Sequence, residues 1–212
     1  MLHELIKIWF NWVHDWGYWG VFILMAMESS IIPVPSELVM PPAAYWAAQG
    51  QMNFSLVVLA GTLGSYFGSV VNYILFRWLR TPFVEKYGRY FLISGEKYKA
   101  AQKWTKDFGT FGVFIARLLP VIRHLISIPA GILKMNFTNF SIATLIGAGL
   151  WCFILSWFGE KTLGAHPELL DSPEAMMHAI RGELVWFVIG ILIFAALYLA
   201  VTIYKKKSKK TA

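Results

Sequence analysis

Gly109-Thr-Phe-Gly-Val-Phe-Ile-Ala-Arg117-Leu-Leu-Pro120-Val-Ile-Arg123-His124-Leu-Ile-Ser-Ile-Pro129-Ala-Gly131 is apolar enough to lie in a bilayer, yet it carries two arginines and two prolines. Each proline removes a backbone donor and disfavours helix in the residue before it. The limbs on either side of the break hold roughly ten apolar residues each, about half a membrane at 1.5 Å per residue. Residues 17–50 have the same character. They are apolar, are interrupted by Pro33, Pro35, Pro41 and Pro42, and contain Glu28 and Glu37. Three uninterrupted stretches, 54–76, 138–158 and 184–204, are long enough to cross a hydrocarbon core of ~30 Å as helices.

Composition agrees with that class. Of the 212 residues 57% are hydrophobic and 15% charged, where a soluble domain carries about a quarter charged residues. The single cysteine, Cys152, excludes a disulfide framework or a cysteine-based metal cluster, and it reads as a lipid-facing or packed side chain. The first sixteen residues lack a basic region followed by an unbroken apolar core, so no cleavable signal peptide is expected.

The net charge of +7 is unevenly placed. Residues 77–106 hold eight basic side chains, and the tail after Tyr204 holds five lysines. Residues 160–183 hold five acids against Lys161 and Arg181. The positive-inside rule puts the two basic segments in the cytoplasm and the acidic one outside. Because topology explains the basic stretches, no nucleic-acid partner is expected. Parity then places both ends of 109–135 in the cytoplasm. A re-entrant hairpin satisfies this better than a pair of full crossings, because the limbs are short.

An internal repeat organises the chain. Gly17-Tyr-Trp-Gly-Val-Phe-Ile23 recurs as Gly109-Thr-Phe-Gly-Val-Phe-Ile115, Met52-Asn-Phe54 as Met135-Asn-Phe137, and Gly64 falls opposite Gly147. The offset shrinks from 92 to 83 residues, so the second hairpin is the shorter. The fold class expected is an all-α integral membrane protein. It is an inverted repeat of two re-entrant broken-helix hairpins, each followed by a transmembrane helix, with a C-terminal transmembrane helix and amphipathic interfacial helices added. The single membrane domain divides into an amphipathic helix at 1–16, a first repeat at 17–76 and basic cytoplasmic linker helices at 77–107. A second repeat at 108–158, an external loop at 159–183, the last span at 184–204 and a lysine-rich cytoplasmic tail at 205–212 follow. Gly61, Gly64, Gly68 and Ser69 share a helix face and read as close packing. Such faces permit a homodimer without demanding one.

Four charges remain at depth: Glu28, Glu37, Arg117 and Arg123. Lys134 sits at a hairpin end and can snorkel to head groups. Ionisable groups inside a membrane cost several kcal/mol, roughly, unless paired or hydrated, and they mark functional sites. Guanidinium forks bind phosphate bidentately and keep their proton, so Arg117 and Arg123 are expected to hold a lipid phosphate. A buried carboxyl changes protonation more readily, so Glu28 and Glu37 are expected to couple or gate. A static ion-pair cluster is the alternative, weakened because buried ion pairs rarely stabilise more than apolar packing does. His124 and Ser65 are possible accessory positions, His124 as a proton relay or a satisfied structural histidine. Neither a nucleophilic triad nor paired metal ligands can be assembled, so catalysis, metal and cofactor are not expected.

At these residues the sequence resembles the DedA family, whose domain is also called the SNARE-associated or VTT domain. The resemblance covers roughly residues 10–160. Glu28-Ser-Ser-Ile-Ile-Pro33-Val-Pro35-Ser36-Glu37 is similar to the family's E-x-x-x-x-P-x-P-G-[ED] element, and Phe114-Ile-Ala-Arg117-Leu-Leu-Pro120-Val-Ile-Arg123 to its F-x-x-R-x-x-P-x-x-R element. Pro129-Ala130-Gly131 and Met135 follow. Two positions depart: Ser36 stands for the usual Gly, and Ser65 for a frequent Asp. The resemblance implies a lipid transporter of the bacterial cell membrane, with proton-motive-force dependence, and Glu28, Glu37, Arg117 and Arg123 as its functional positions. Bacterial members move undecaprenyl phosphate or phosphatidylethanolamine, and eukaryotic relatives scramble phospholipids. The function expected is therefore a flippase for an anionic lipid, undecaprenyl phosphate first, with protons as coupling partner. The alternatives are a phosphatidylethanolamine or general phospholipid flippase or scramblase, a proton-coupled cation antiporter, and a non-transporting envelope scaffold.

Overall fold

The computed structural model describes residues 8–9, 12–30, 34–87, 95–119, 122–123 and 125–166, with scattered positions between 169 and 190, and side chains outside 80–101. Every regular element among the described residues is helical. In chain order they are α1 (Tyr18–Glu28), a 3₁₀ turn (Ser36–Leu38), α2 (Met40–Ala48), α3 (Phe54–Tyr87), α4 (Gly95–Arg117), α5 (Ser127–Ile132) and α6 (Phe137–Ala165).

Residues 54–79 of α3 and the whole of α6 are long and apolar enough to cross a membrane. Their exposed faces say which solvent they expect. On α3 the outward residues are Leu56, Leu59, Leu63, Phe67, Val71, Ile74 and Trp78, and on α6 they are Phe137, Ile142, Ile146, Leu150, Phe153 and Trp157. The α3 stripe covers 22 steps, about 33 Å at helical rise, close to the hydrocarbon thickness of roughly 30 Å. Polar groups lie on the opposite, buried faces: Ser65, Ser69 and Asn72 on α3, Thr144 and Ser156 on α6. A water-soluble helix has the reverse distribution. This is a membrane protein with its apolar surface outward.

The other helices are short. At 1.5 Å per residue α1 and α2 reach about 16 and 14 Å, and α5 about 9 Å, so none of them is long enough to cross a bilayer by itself. Helix, break, short helix and long helix thus follow one another twice along the chain.

The repeat read from sequence extends to local conformation. Gly17 (φ 53°, ψ −125°) and Gly109 (φ 52°, ψ −131°) adopt the same left-handed backbone, which glycine enters without a Cβ penalty. At Gly109 it kinks α4 into a segment before and a limb after. The asparagines of the two Met-Asn-Phe elements do the same job. Asn53 Oδ1 accepts the Leu56 amide at 3.2 Å, and Asn136 Oδ1 accepts the Asn139 amide at 3.1 Å, each capping the start of a long helix.

Packing is reciprocal as well. α1 lies against α3 within the first half, and α4 against α6 within the second. Each short helix crosses to the other half, α2 onto α6 and α5 onto α3. Glycines permit the close approaches. A Cβ on Gly64 would overlap the Phe22 carbonyl oxygen, and one on Gly147 would lie 3.3 Å from the carbonyl oxygen of Phe114, the repeat counterpart of Phe22. Gly68 meets the Ala26 carbonyl oxygen, and Gly131 that of Tyr73. The close-packing reading of the small-residue face on α3 holds.

Several boundaries differ from the sequence reading. α3 runs on from the expected end at 76 to Tyr87, because Arg77 and the basic residues after it continue a helix whose backbone bonds are already satisfied. The described parts of the linker, 77–87 and 95–107, are helical and continuous with α3 and α4; residues 88–94 lie outside the described residues. Pro129 does not break a helix. It is the third residue of α5, in the first turn, where no intrahelical donor is lost. Pro41 and Pro42 likewise sit in the first turn of α2. Pro35 does lie in the break, preceding the 3₁₀ turn. Pro33, Pro120 and His124 lie outside the described residues, as does most of the expected span 184–204 and its tail. At the N-terminus residues 12–16 are helical, with Val13 buried and Trp12 crossing α1 tightly at Gly20.

Candidate functional site

The two breaks meet. α1 ends at Glu28, and the turn after α4 carries Arg123; one Arg123 Nη donates to Glu28 Oε1 across 95 residues of sequence. Both are buried, at 2% and 5% exposure, and Arg117 is buried beside them at 3%. Arg123 also lies over the indole of Trp151 on α6, 4.9 Å from its centroid, so the cation is held by a carboxylate and a ring face.

Arg117 is held differently. Its Nη1 donates to the Arg123 carbonyl oxygen at 3.1 Å and its Nη2 to Ser127 Oγ at 2.6 Å. Those acceptors are neutral. Its Nε, and Oε2 of Glu28, have no hydrogen-bond partner among the described residues. Gly147 makes room for this arginine, since a Cβ there would come within 2.6 Å of Arg117 Cβ. The buried set thus holds two guanidinium groups and one carboxylate. One of the two positive charges, on Arg117, has no carboxylate in hydrogen-bonding contact.

Glu37 stands apart from the arginines of the second break. Its Oε1 is 3.7 Å from Nε of Arg181, a half-exposed residue of the acidic loop, and its Oε2 accepts a long bond from Ser36 Oγ at 3.5 Å. Ser36 in turn accepts from Trp151 Nε1 at 3.4 Å, so the second acid is tied to the Arg123 site through Ser36 and Trp151. The two acids and two arginines are therefore arranged as one direct pair, one arginine without a carboxylate in contact and one acid turned toward Arg181.

Ser65 is buried and its hydroxyl bonds that of Ser29, directly after Glu28, at 2.7 Å. Ser69 Oγ donates to the Ser65 carbonyl oxygen, and Asn72 Nδ2 to the Ser29 carbonyl oxygen at 3.0 Å. Asn72 Oδ1 is unpartnered. In this polar seam between α1 and α3 the sequence reading names Ser65 as an accessory position and Ser69 as packing; Ser29 and Asn72, along with Ser127 and Trp151, were missed. Asn72 alone carried a signal, as the one carboxamide in the stretch 54–76. Ser127 and Trp151 carried none, because serine and tryptophan are ordinary in apolar helices. Cys152 is fully buried near Gly61, a packed residue rather than a lipid-facing one. Among the described residues no three His, Cys, Asp or Glu side chains gather as a metal site.

The VTT domain family model matches residues 30–161. Over 212 residues, 99% of this chain and 89% of the relative, the sequence is 35% identical to the protein called Uncharacterized membrane protein YkoX of Bacillus subtilis (strain 168). It is 33% identical over 156 residues to Undecaprenyl phosphate transporter A of the same organism, covering 74% of this chain and 77% of that one. To Undecaprenyl phosphate transporter A of Staphylococcus aureus (strain NCTC 8325 / PS 47) it is 28% identical over 194 residues, 89% of this chain and 94% of the relative. No solved structure matches.

Proposed function

This chain belongs to the VTT-domain (DedA) family, and on that premise we propose that it is a lipid transporter, not an enzyme, carrying an anionic polyprenyl phosphate across the bacterial cell membrane. Undecaprenyl phosphate is the cargo we assign first, in keeping with the names of two relatives. Arg117 and Arg123 receive the phosphate; Glu28 and Glu37 gate the site and couple it to protons.

The observation that carries this reading is the uncompensated positive charge at Arg117. A guanidinium buried against a carbonyl and a hydroxyl is held in place but not neutralised. Burying such a charge costs several kcal/mol, roughly, unless a counter-ion completes the site. A phosphomonoester carries up to two negative charges and three acceptor oxygens, enough to span both forks. In the structure Glu28 occupies Arg123, so arriving phosphate displaces a carboxylate, and the released carboxylate is free to take a proton.

Architecture supports the same reading. Helices too short to cross, paired on either side of a break, fit re-entrant hairpins. The reciprocal packing of α2 on α6 and α5 on α3 fits an inverted repeat with the site where the breaks meet. In that topology the lysine-rich linker and C-terminus lie in the cytoplasm.

Translocation of a polyprenyl phosphate by the full chain in proteoliposomes tests the proposal. Arg117→Ala and Arg123→Ala are expected to lower the initial rate about tenfold or more each, as loss of a charge-assisted phosphate contact implies. Arg117→Lys is expected to restore it only in part, because an ammonium lacks the planar fork. Wild-type rates in both alanine variants would end this reading.

A further inference from the structure

Two clefts of unlike chemistry are lined by the segments that lead up to the left-handed glycines Gly17 and Gly109. Before Gly109 in sequence, a cleft of about 580 Å³ is lined by Gln102, Lys103, Thr105 and Lys106, with Leu133 and Met135 from later in the chain. Near Gly17 a cleft of about 340 Å³ is bordered by His14, Asp15, Trp16, Trp19, Trp46 and Met52, among others. The offsets of 92 and 83 residues that relate the halves pair Lys106 with His14 and Met135 with Met52. The clefts are thus counterparts. Among the described residues one presents two exposed lysines and no acid in its lining; the other presents indoles and a His14–Asp15 contact at 2.9 Å.

From this asymmetry we infer that the Lys103–Lys106 cleft is a receiving subsite for the phosphomonoester head group of a membrane lipid, separate from the Arg117–Arg123 site and absent from the other end of the molecule. The inference rests on the transporter reading above and names where its cargo is first engaged. Lys103 and Lys106 are three residues apart on α4, on one face. Gln102 and Thr105 supply polar groups to the same wall. Leu133 and Met135 form an apolar wall that suits the first carbons of a lipid chain and not a free anion. α5 links this cleft to the buried arginines. Its first residue, Ser127, holds Arg117, and Leu133, just past its end, lines the cleft. Six residues of helix span about 9 Å, so a head group leaving the lysines has one short helix to pass.

Photo-crosslinking tests the assignment, with the full chain in phosphatidylcholine nanodiscs and a diazirine-bearing farnesyl phosphate as probe. Labelled peptides are expected to map to 102–106 and 133–135. Labelling there should fall about tenfold in Lys103→Gln/Lys106→Gln, as loss of two solvent-touching lysine–phosphate contacts implies. It should persist in Lys134→Gln, which removes a neighbouring charge outside the lining. Undiminished labelling in the double variant overturns the subsite. So does equal labelling by a phosphodiester probe built on phosphatidylglycerol, which would make the cleft a general anionic surface. Protection by inorganic phosphate as effective as that by unlabelled farnesyl phosphate would assign it to a free anion instead. Translocation by the arginine variants is read separately, so the cleft can fail while the transporter reading stands, and the reverse.

Discussion

Removing the carboxylate of Glu28 should unbalance the buried site more than removing either arginine's neutral partners. In Glu28→Gln the amide oxygen still accepts from Arg123, so shape and one hydrogen bond survive, but two guanidinium groups are left without an anion in contact. Breaking a buried pair from one side costs about 3–5 kcal/mol, and the Arg123 side chain, 6% exposed, is little screened by water. Arg117→Gln loses two bonds to neutral acceptors, about 1.5–3 kcal/mol each, but it also removes a buried charge that no carboxylate contacts. Relief of repulsion from Arg123 offsets part of that. Removing both charges in Glu28→Gln/Arg123→Gln should cost less than the sum of the two single changes by about 3 kcal/mol, since no unpaired charge of that pair remains. Unfolding in mixed micelles, followed by the fluorescence of the ten tryptophans, gives the four stabilities of the cycle. If the two single costs add to the double within about 0.5 kcal/mol, Glu28 and Arg123 are not coupled and the charge argument fails.

Three other outcomes follow from packing. Gly64→Ala should lower the melting temperature, with a cost of about 1–3 kcal/mol as α1 is forced off α3, while Gly164→Ala, whose Cβ meets nothing within 4 Å, should be neutral or slightly stabilising. Asn53→Ala and Asn136→Ala should each cost about 1 kcal/mol, and by similar amounts, because the two side chains cap equivalent helices; a loss at only one would contradict the shared role. Cys152 should stay unmodified by a water-soluble maleimide in intact membranes and react after detergent unfolding, since it is fully buried; prompt labelling in membranes would contradict its packed position.

Glu28, Arg117 and Arg123 stood out in the sequence because lipid punishes stray charge, and the structure gathers them for the same reason. The GxxGVFI and Met-Asn-Phe elements were legible as a repeat, and their physical content became clear only in three dimensions, as a left-handed kink and a helix cap. Glu37 carried no partner in the sequence reading. Nothing in local sequence says that a loop residue 144 positions later, Arg181, will stand at 3.7 Å. Pro129 was read as a break because proline usually ends a helix, but position decides: in a first turn it costs nothing. Ser29, Ser127 and Trp151 matter through what they touch across the fold, and such contacts leave no periodic or compositional trace.

The bond from Glu28 to Arg123 also sets a timetable. At synthesis rates of 5–20 residues per second, the 95 residues that separate them take roughly 5–20 s to emerge. For that interval the first half exists with its acid made and its counter-charge unmade, and with α2 lacking the α6 surface it will lie on. A nascent chain in that state cannot be released into lipid as a finished unit. It has to be kept at the insertion machinery, or hydrated beside it, until the second half arrives to close it.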